Sequence, residues 1–283
     1  MTISFGEDAK RATKSLISTT CLGSELLDRY HRSKRVRRAR AFLEAGGVFP
    51  ADHEAILRDF AVVAQNTQLS IAGIANIEAI ARHVVSSGRS GAFVECGTWR
   101  GGALGYWARS FLRNGGAPHT SSIWGFDSFE GMPQMTEQDG EFTARWLHQR
   151  PLAELPGEML RGQLTKTGLN VALEQDVWDM LASSGYPQDR VHVVKGWFQN
   201  SLPPNADKIG PIAVLRLDGD FYESTRVCLE QLYDRVVSGG VVILDDYGVF
   251  PGCKQATDEF FTARRISAPL LYVDVAVRYF FKP

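Results

Sequence analysis

From residue 91 onward the chain alternates short runs rich in Val, Ile and Phe with longer stretches of helical periodicity. That alternation restricts the fold more than any other feature. The runs are GAFVECG (91–97), SSIWGFDS (121–128), RVHVVKG (190–196), PIAVLRLDGD (211–220), GGVVILDD (239–246) and PLLYVDVAVRYFF (269–281). Helical patterns fit near 102–113, 169–184, 222–236 and 253–264. Apolar runs buried on both faces and alternating with helices belong in a parallel sheet covered on each side. The closing run holds two strands almost end to end, which predicts a hairpin. The expected fold is therefore α/β, a doubly wound, mostly parallel sheet of seven strands.

Residues 1–88 read as a helical extension, leaving 89–283 for the sheet domain. HEAILRDFAVVAQ (53–65) places Ile56, Phe60 and Val63 at helical spacing, with Asp52 as the expected N-cap. Ile71, Ile74, Ile77 and Ala81 share a second helical face. Residues 128–168 break the rhythm with Gly131, Pro133, Gly140, Pro151, Pro156, Gly157 and Gly162, and a segment of that length between strand and helix predicts a lid. Apolar residues make up 44% and charged residues 22% of the chain, enough for a core and too ordered a balance for wholesale disorder. Lys and Arg total 31 against 32 Asp and Glu, so the chain as a whole is no polycation built for nucleic acid. No apolar run approaches the roughly 18 residues of a membrane span. The opening MTISFGEDAK lacks secretory order, and Cys21, Cys96, Cys228 and Cys253 fit neither a disulfide framework nor a zinc site, so a reducing cytoplasm is expected. The basic stretch Arg29 to Arg40 reads as a solvated helix face or a contact with a second subunit, hence an expected homo-oligomer; the alternative is a site for nucleic acid or an anionic carrier.

Three motifs carry chemistry. Val94-Glu95-Cys96-Gly97-Thr98-Trp99-Arg100-Gly101-Gly102 sits where a strand ends and a helix begins, so backbone N–H groups can approach a ligand. Its spacing departs from GxGxxG, and a plain strand-to-helix turn is the alternative. Phe126-Asp127-Ser128 ends the second strand, where an acid commonly accepts hydrogen bonds from ribose; the alternative is a capping Asp. Together these two favour a nucleoside-type ligand. Asp218-Gly219-Asp220 ends the fourth strand and Asp245-Asp246 the fifth, at one sheet edge. Four acids in a crevice repel one another, and a hard dication with oxygen ligands relieves the conflict. The competing reading has them cap strand ends or pair with Arg216 and Lys254.

The run Leu217-Asp218-Gly219-Asp220-Phe221-Tyr222-Glu223-Ser224-Thr225, then Gly239-Gly240-Val241-Val242-Ile243-Leu244-Asp245-Asp246-Tyr247, then Cys253-Lys254-Gln255-Ala256, resembles the macrocin O-methyltransferase family. GTWRGG and FDSFEGMP match the same pattern, so the resemblance covers roughly 60–265 and leaves 1–50 unaccounted for. It implies a Rossmann-like, class I methyltransferase fold and an enzyme that uses S-adenosylmethionine and Mg²⁺ to methylate a sugar hydroxyl of a glycosylated natural product. Carried over, it implies Asp218, Asp245 and Asp246 as metal ligands and Asp220 as general base. Glu95 and Gly97 would line the methionine end of the cofactor, Asp127 would hold its ribose and Trp197 would cover its adenine, with Thr98 and Ser128 as further cofactor contacts. Thr67 and Ser70 would belong to a segment closing over it.

The chemistry is coherent with these parts. Methyl transfer is an in-line displacement that depends on positioning. An aliphatic hydroxyl is a poor nucleophile until a dication lowers its pKa and a carboxylate takes its proton. A catechol or phenol acceptor, or a non-catalytic nucleoside-binding module, are the alternatives. His148 is a candidate substrate contact, whereas Trp99, Trp107, Trp124, Trp146 and Trp178 read as packing residues.

Overall fold

The computed structural model describes residues 21–45, 52–148 and 169–283. The chain divides into two compact units, Met1–Gln65 and Asn66–Pro283, a boundary that lies before residue 88.

In the first unit, α1 (Cys21–Glu44) and α2 (His53–Val63) pair. α2 buries Ile56, Leu57, Phe60 and Val63, the stripe that its spacing predicts. Arg40 reaches Glu54 at 2.5 Å, and the Arg35 guanidinium lies 5.3 Å from the Phe60 ring centre. The expected Asp52 cap is corrected. At φ −107° and ψ 1° the residue lies outside the extended region an N-cap uses, and its side chain makes no cap bond.

In the second unit, α3 (Ile71–Ser86) opens with Ser70, whose Oγ accepts the Gly73 N–H at 3.0 Å. Then come β1 (Ala92–Cys96), α4 (Gly102–Arg113), β2 (Ile123–Asp127), α5 (Gly140–His148), α6 (Glu174–Ala182), β3 (Val191–Lys195), β4 (Ile212–Leu217), α7 (Tyr222–Leu232), β5 (Val236–Leu244), α8 (Pro251–Arg264), β6 (Leu271–Tyr272) and β7 (Arg278–Phe281). The strands form one seven-stranded sheet in the order β3-β2-β1-β4-β5-β7-β6. The first five run parallel, and β7 pairs antiparallel with β5 and β6, as the closing hairpin requires. β1 and β4 are buried along their whole length, which is why all their residues but Glu95 and Arg216 are apolar.

α3 belongs with the sheet unit because of a buried polar knot. Glu78, fully buried, accepts hydrogen bonds from Ser110 Oγ at 2.6 Å, Arg113 at 2.7 and 3.0 Å and Asn114 at 3.0 Å, which clamps α3 to α4. On the β1 side of α4, Phe93, Trp107 and Phe111 stack with centroid separations of 4.4 and 5.8 Å.

The predicted lid begins with a 3₁₀ turn at Glu137–Asp139 and α5, which the sequence rhythm does not announce. Residues 149–168 of that segment and the His148 side chain lie outside the described residues. The helix expected over 169–184 is confined to Glu174–Ala182, because Asn170 takes a left-handed φ of 55° and Leu173 is extended.

Candidate active site

Strand order reverses direction between β1 and β4, and the crevice at that point is where open α/β sheets bind ligands. The strand ends are locked together by backbone bonds. Gly97 N–H donates to Phe126 O at 2.8 Å, Asp218 N–H to Cys96 O at 2.9 Å and Asp245 N–H to Leu217 O at 2.9 Å. A cavity of about 280 Å³ opens on this edge, lined entirely by residues of the second unit.

One half of the cavity is the glycine loop. A Cβ added to Gly97 would fall 1.7 Å from the Asp218 carbonyl oxygen, so only glycine lets β1 and β4 approach this closely (φ 93°). Gly102 N–H donates to Asn66 O at 2.9 Å, with no room for a side chain between them. Asp127 accepts the Trp99 N–H at 2.8 Å and the Phe129 N–H at 2.7 Å, one on each oxygen. It thereby ties the first loop to the second, and the carboxylate keeps acceptor capacity for a ligand. Burial pushes its pKa up against backbone bonds from Phe129, Trp99 and Thr98. Ser128 spends its hydroxyl locally, donating to Gly131 O at 2.9 Å and accepting the Glu130 N–H at 3.1 Å. Trp197 follows β3 through Gly196, whose N–H donates to Asp127 O at 2.8 Å.

Glu95, Gly97, Thr98, Asp127, Ser128, Trp197 and Thr67 all line the cavity. Ser70 does not: it caps α3 and bonds Asp274, and so is corrected from cofactor contact to helix cap. Glu95 Oε2 and Thr98 Oγ1 are buried with no hydrogen-bond partner in the protein. Orphaned polar atoms beside a glycine cradle fit the amino-acid end of S-adenosylmethionine, which offers both a donor and an acceptor.

The other half is acidic. Asp218, Asp220 and Asp246 each present an oxygen, all within 4.8 Å of one another. Asp220 holds a left-handed φ of 57°, and its N–H donates to Asp246 Oδ2 at 2.9 Å. Burial, then mutual repulsion, pushes the carboxyls of Asp220 and Asp246 well above their usual range. Three converging oxygen donors of this kind fit Mg²⁺. Asp245, expected in the ligand set, instead contacts Arg216 Nη2 at 2.6 Å. Arg216 also reaches Asp218 at 2.9 Å and Glu95, so one buried guanidinium serves three acids. Burial outweighs that guanidinium at Asp245 and Glu95, whose pKa values rise to about 7 and about 8. Lys254, the other cation named as a partner for the acids, pairs with Asp258.

Sequence reasoning treated Arg216 only as a competing partner, although an arginine inside the apolar run PIAVLRL is itself a signal that buried acids lie beside it. It missed Asp139 entirely. This buried acid accepts the Tyr222 N–H at 2.7 Å and, on its other oxygen, the Thr136 N–H at 2.5 Å. It pins the start of α5 beside the acidic edge. Phe142, Trp146 and Phe250 also line the cavity.

The model of the macrocin-O-methyltransferase (TylF) family matches residues 38–282. The chain is 32% identical over 226 residues to the 8-demethyl-8-(2,3-dimethoxy-alpha-L-rhamnosyl)-tetracenomycin-C 4'-O-methyltransferase of Streptomyces olivaceus, covering 79% of this chain and 78% of that protein. It is 32% identical over 209 residues to the demethyldecarbamoylnovobiocin O-methyltransferase of Streptomyces niveus, covering 74% and 72%. Among solved structures, the O-methyltransferase NovP superimposes with a TM-score of 0.61 at 32% identity, over 77% of this chain and 82% of that one. The calicheamicin methyltransferase CalS11 shares the fold, with a TM-score of 0.57 at 20% identity over 88% and 91% of the two chains.

Proposed function

The chain belongs to the macrocin O-methyltransferase family and is an S-adenosylmethionine-dependent O-methyltransferase, and on that premise we propose that it methylates a sugar hydroxyl of a glycosylated small molecule with the help of Mg²⁺. The observation that carries this reading is the convergence of Asp218, Asp220 and Asp246 within 4.8 Å in the same cavity as the glycine loop. The names of the curated relatives, which modify glycosylated antibiotics, support the sugar over a catechol.

Bound S-adenosylmethionine supplies the methyl group, and bound Mg²⁺ supplies charge that lowers the pKa of an acceptor hydroxyl. The protein's own work is positional and protonic. Gly97 lets β1 and β4 close up beneath the cavity. Asp127 would accept from ribose, Glu95 and Thr98 would meet the amino-acid end, Trp197 would cover the base, and Thr67 would stand beside the cofactor. Asp218 and Asp246 would hold the ion. Asp245, expected beside them, borders the same cavity with one oxygen on Arg216. Asp220 takes the hydroxyl proton, a role that its place beside the two acids assigned to the ion supports.

The test is transfer of labelled methyl from S-adenosylmethionine to a panel of methyl and aryl 6-deoxyhexosides, with and without EDTA. Transfer that requires Mg²⁺ supports the proposal; transfer at full rate in EDTA overturns the metal, and transfer only to catechol overturns the sugar. A cytoplasmic homo-oligomer completes the proposal. Three buried free thiols, Cys96, Cys228 and Cys253, support the reducing compartment, and among the described residues no helix is long and apolar enough to cross a membrane. Sedimentation of the purified chain reads the oligomer.

A further inference from the structure

Phe142 and Trp146 stand four residues apart on α5, so they share one helix face. Each is 48% exposed, although large aromatic side chains bury readily when packing allows it. Both meet Phe250 edge to face, at 6.1 and 5.5 Å between centroids. Beneath them Met132, Met135, Ala144, Phe221, Phe250 and Cys253 form a small core of their own. The three rings are thus a supported surface, open on one side and bordering the cavity.

This surface is fixed relative to the acids. Phe250 N–H donates to Asp246 O at 2.9 Å, so the ring and the acid share one tight turn. Asp139 anchors the first turn of α5 to the Tyr222 backbone, two residues after Asp220. An acceptor whose hydroxyl meets Asp220 therefore has its remaining body directed along the rings.

Resting on the sugar-methylating reading above, we propose that Phe142, Trp146 and Phe250 form an acceptor site for a flat apolar aglycone attached to the sugar, the rings stacking on it while the acids receive the hydroxyl.

The experiment compares two probes of one 6-deoxyhexose in the Mg²⁺-loaded enzyme, the methyl glycoside and the 4-nitrophenyl glycoside. Methyl transfer to the methyl glycoside reads the function; the ratio between the probes reads the aromatic site. The aryl glycoside is expected to show a KM about tenfold below that of the methyl glycoside, the scale of one aromatic contact. In Trp146→Ala and Phe142→Ala that ratio is expected to fall to about one, with S-adenosylhomocysteine affinity within twofold of the parent as the check on folding. Trp146→Phe, which keeps a ring, is expected to restore most of the ratio. An aryl advantage that survives both alanine variants, or no aryl advantage in the parent, would overturn the proposal. Methyl glycoside turnover in either case leaves the sugar-methylating function intact.

Discussion

A carboxylate at the end of a strand is cheap while water reaches it and costly once others crowd beside it. Asp218, Asp220 and Asp246 accept that cost together, with Arg216 in direct contact with Asp218 and a weaker influence on Asp220. Asp218→Ala and Asp246→Ala are each expected to lower kcat/KM at least a hundredfold and weaken Mg²⁺ binding, while S-adenosylhomocysteine binds as in the parent; calorimetry with each ligand separates the two. Asp127→Ala should do the reverse. Loss of a charged acceptor costs about 1.5–3 kcal/mol, so cofactor affinity should fall tenfold or more with Mg²⁺ affinity unchanged. An unaltered cofactor affinity would remove Asp127 from the ribose. These acids were legible in the sequence because parallel strands deliver their last residues to one edge, so position along the strand already implies proximity. Side chains that act across long sequence separations were not. Glu95 lies 121 residues from Arg216, and Asp139 lies 83 from Tyr222. Nothing local to either acid names its partner. The contact of Asp245 with Arg216 was hidden for the same reason: it shares the expected edge, but its partner stands on the neighbouring strand, 29 residues earlier.

Helices and strands were readable where burial imposes a period, and less so where a single polar contact sets the boundary. The pattern of 102–113 returns as α4 and the run of 211–220 as β4, because both are pressed against the core. α5 escaped notice because only one of its faces is covered, and because Asp139 starts it. Asp139→Ala leaves the buried Thr136 N–H without its acceptor, at about 1–3 kcal/mol, and the half-buried Tyr222 N–H without its own at less. The expected result is local: α5 loosens, and trypsin cuts after the exposed Arg145 faster than in the parent while the sheet keeps its circular dichroism. Equal cleavage rates would show that packing alone holds α5. The α3–α4 clamp is a second case. Burial pushes the Glu78 pKa up, but bonds from Arg113, Ser110 and Asn114 outweigh it and the value ends below normal. Its stabilisation is therefore present above the ordinary carboxylate pKa, near pH 4.5, and is lost as pH falls through the depressed value. Glu78→Ala should cost about 3 kcal/mol, the low end for a broken buried pair because Arg113 keeps 22% of its side chain exposed. Urea denaturation at pH 7 measures it, and the gap between variant and parent should narrow in acid.

Over the whole molecule, the balance of charge is nearly even, at −1, so pH acts on this protein through local crowding more than through global repulsion. The crowding is concentrated at the β1, β4 and β5 edge. Glu95 is pushed up to about 8 and Asp245 to about 7, with Asp220 and Asp246 raised well above their usual range. Burial is the first cause in each. Such acids bind protons more tightly folded than unfolded, so their contribution to stability is present at low pH and lost as pH climbs from the ordinary carboxylate values toward about 8. The metal-free protein should therefore melt at a lower temperature at pH 8 than at pH 5.5, opposite to the Glu78 effect, which acts only in stronger acid. Mg²⁺ binds the deprotonated acids, so protons compete with it at pH 5.5 and scarcely at pH 8. At a hundred times its Kd a ligand adds about 2.7 kcal/mol, and in a chain of this size each kcal/mol raises Tm by about 2–4 °C. Addition of MgCl₂ should accordingly raise Tm by about 5–10 °C at pH 8 and much less at pH 5.5. The same salt should leave the Tm of Asp246→Ala unchanged at both. A melting temperature indifferent to pH across this range, with no larger Mg²⁺ response on the alkaline side, would mean that solvent already relieves the acids and that they gather for a purpose other than holding a dication.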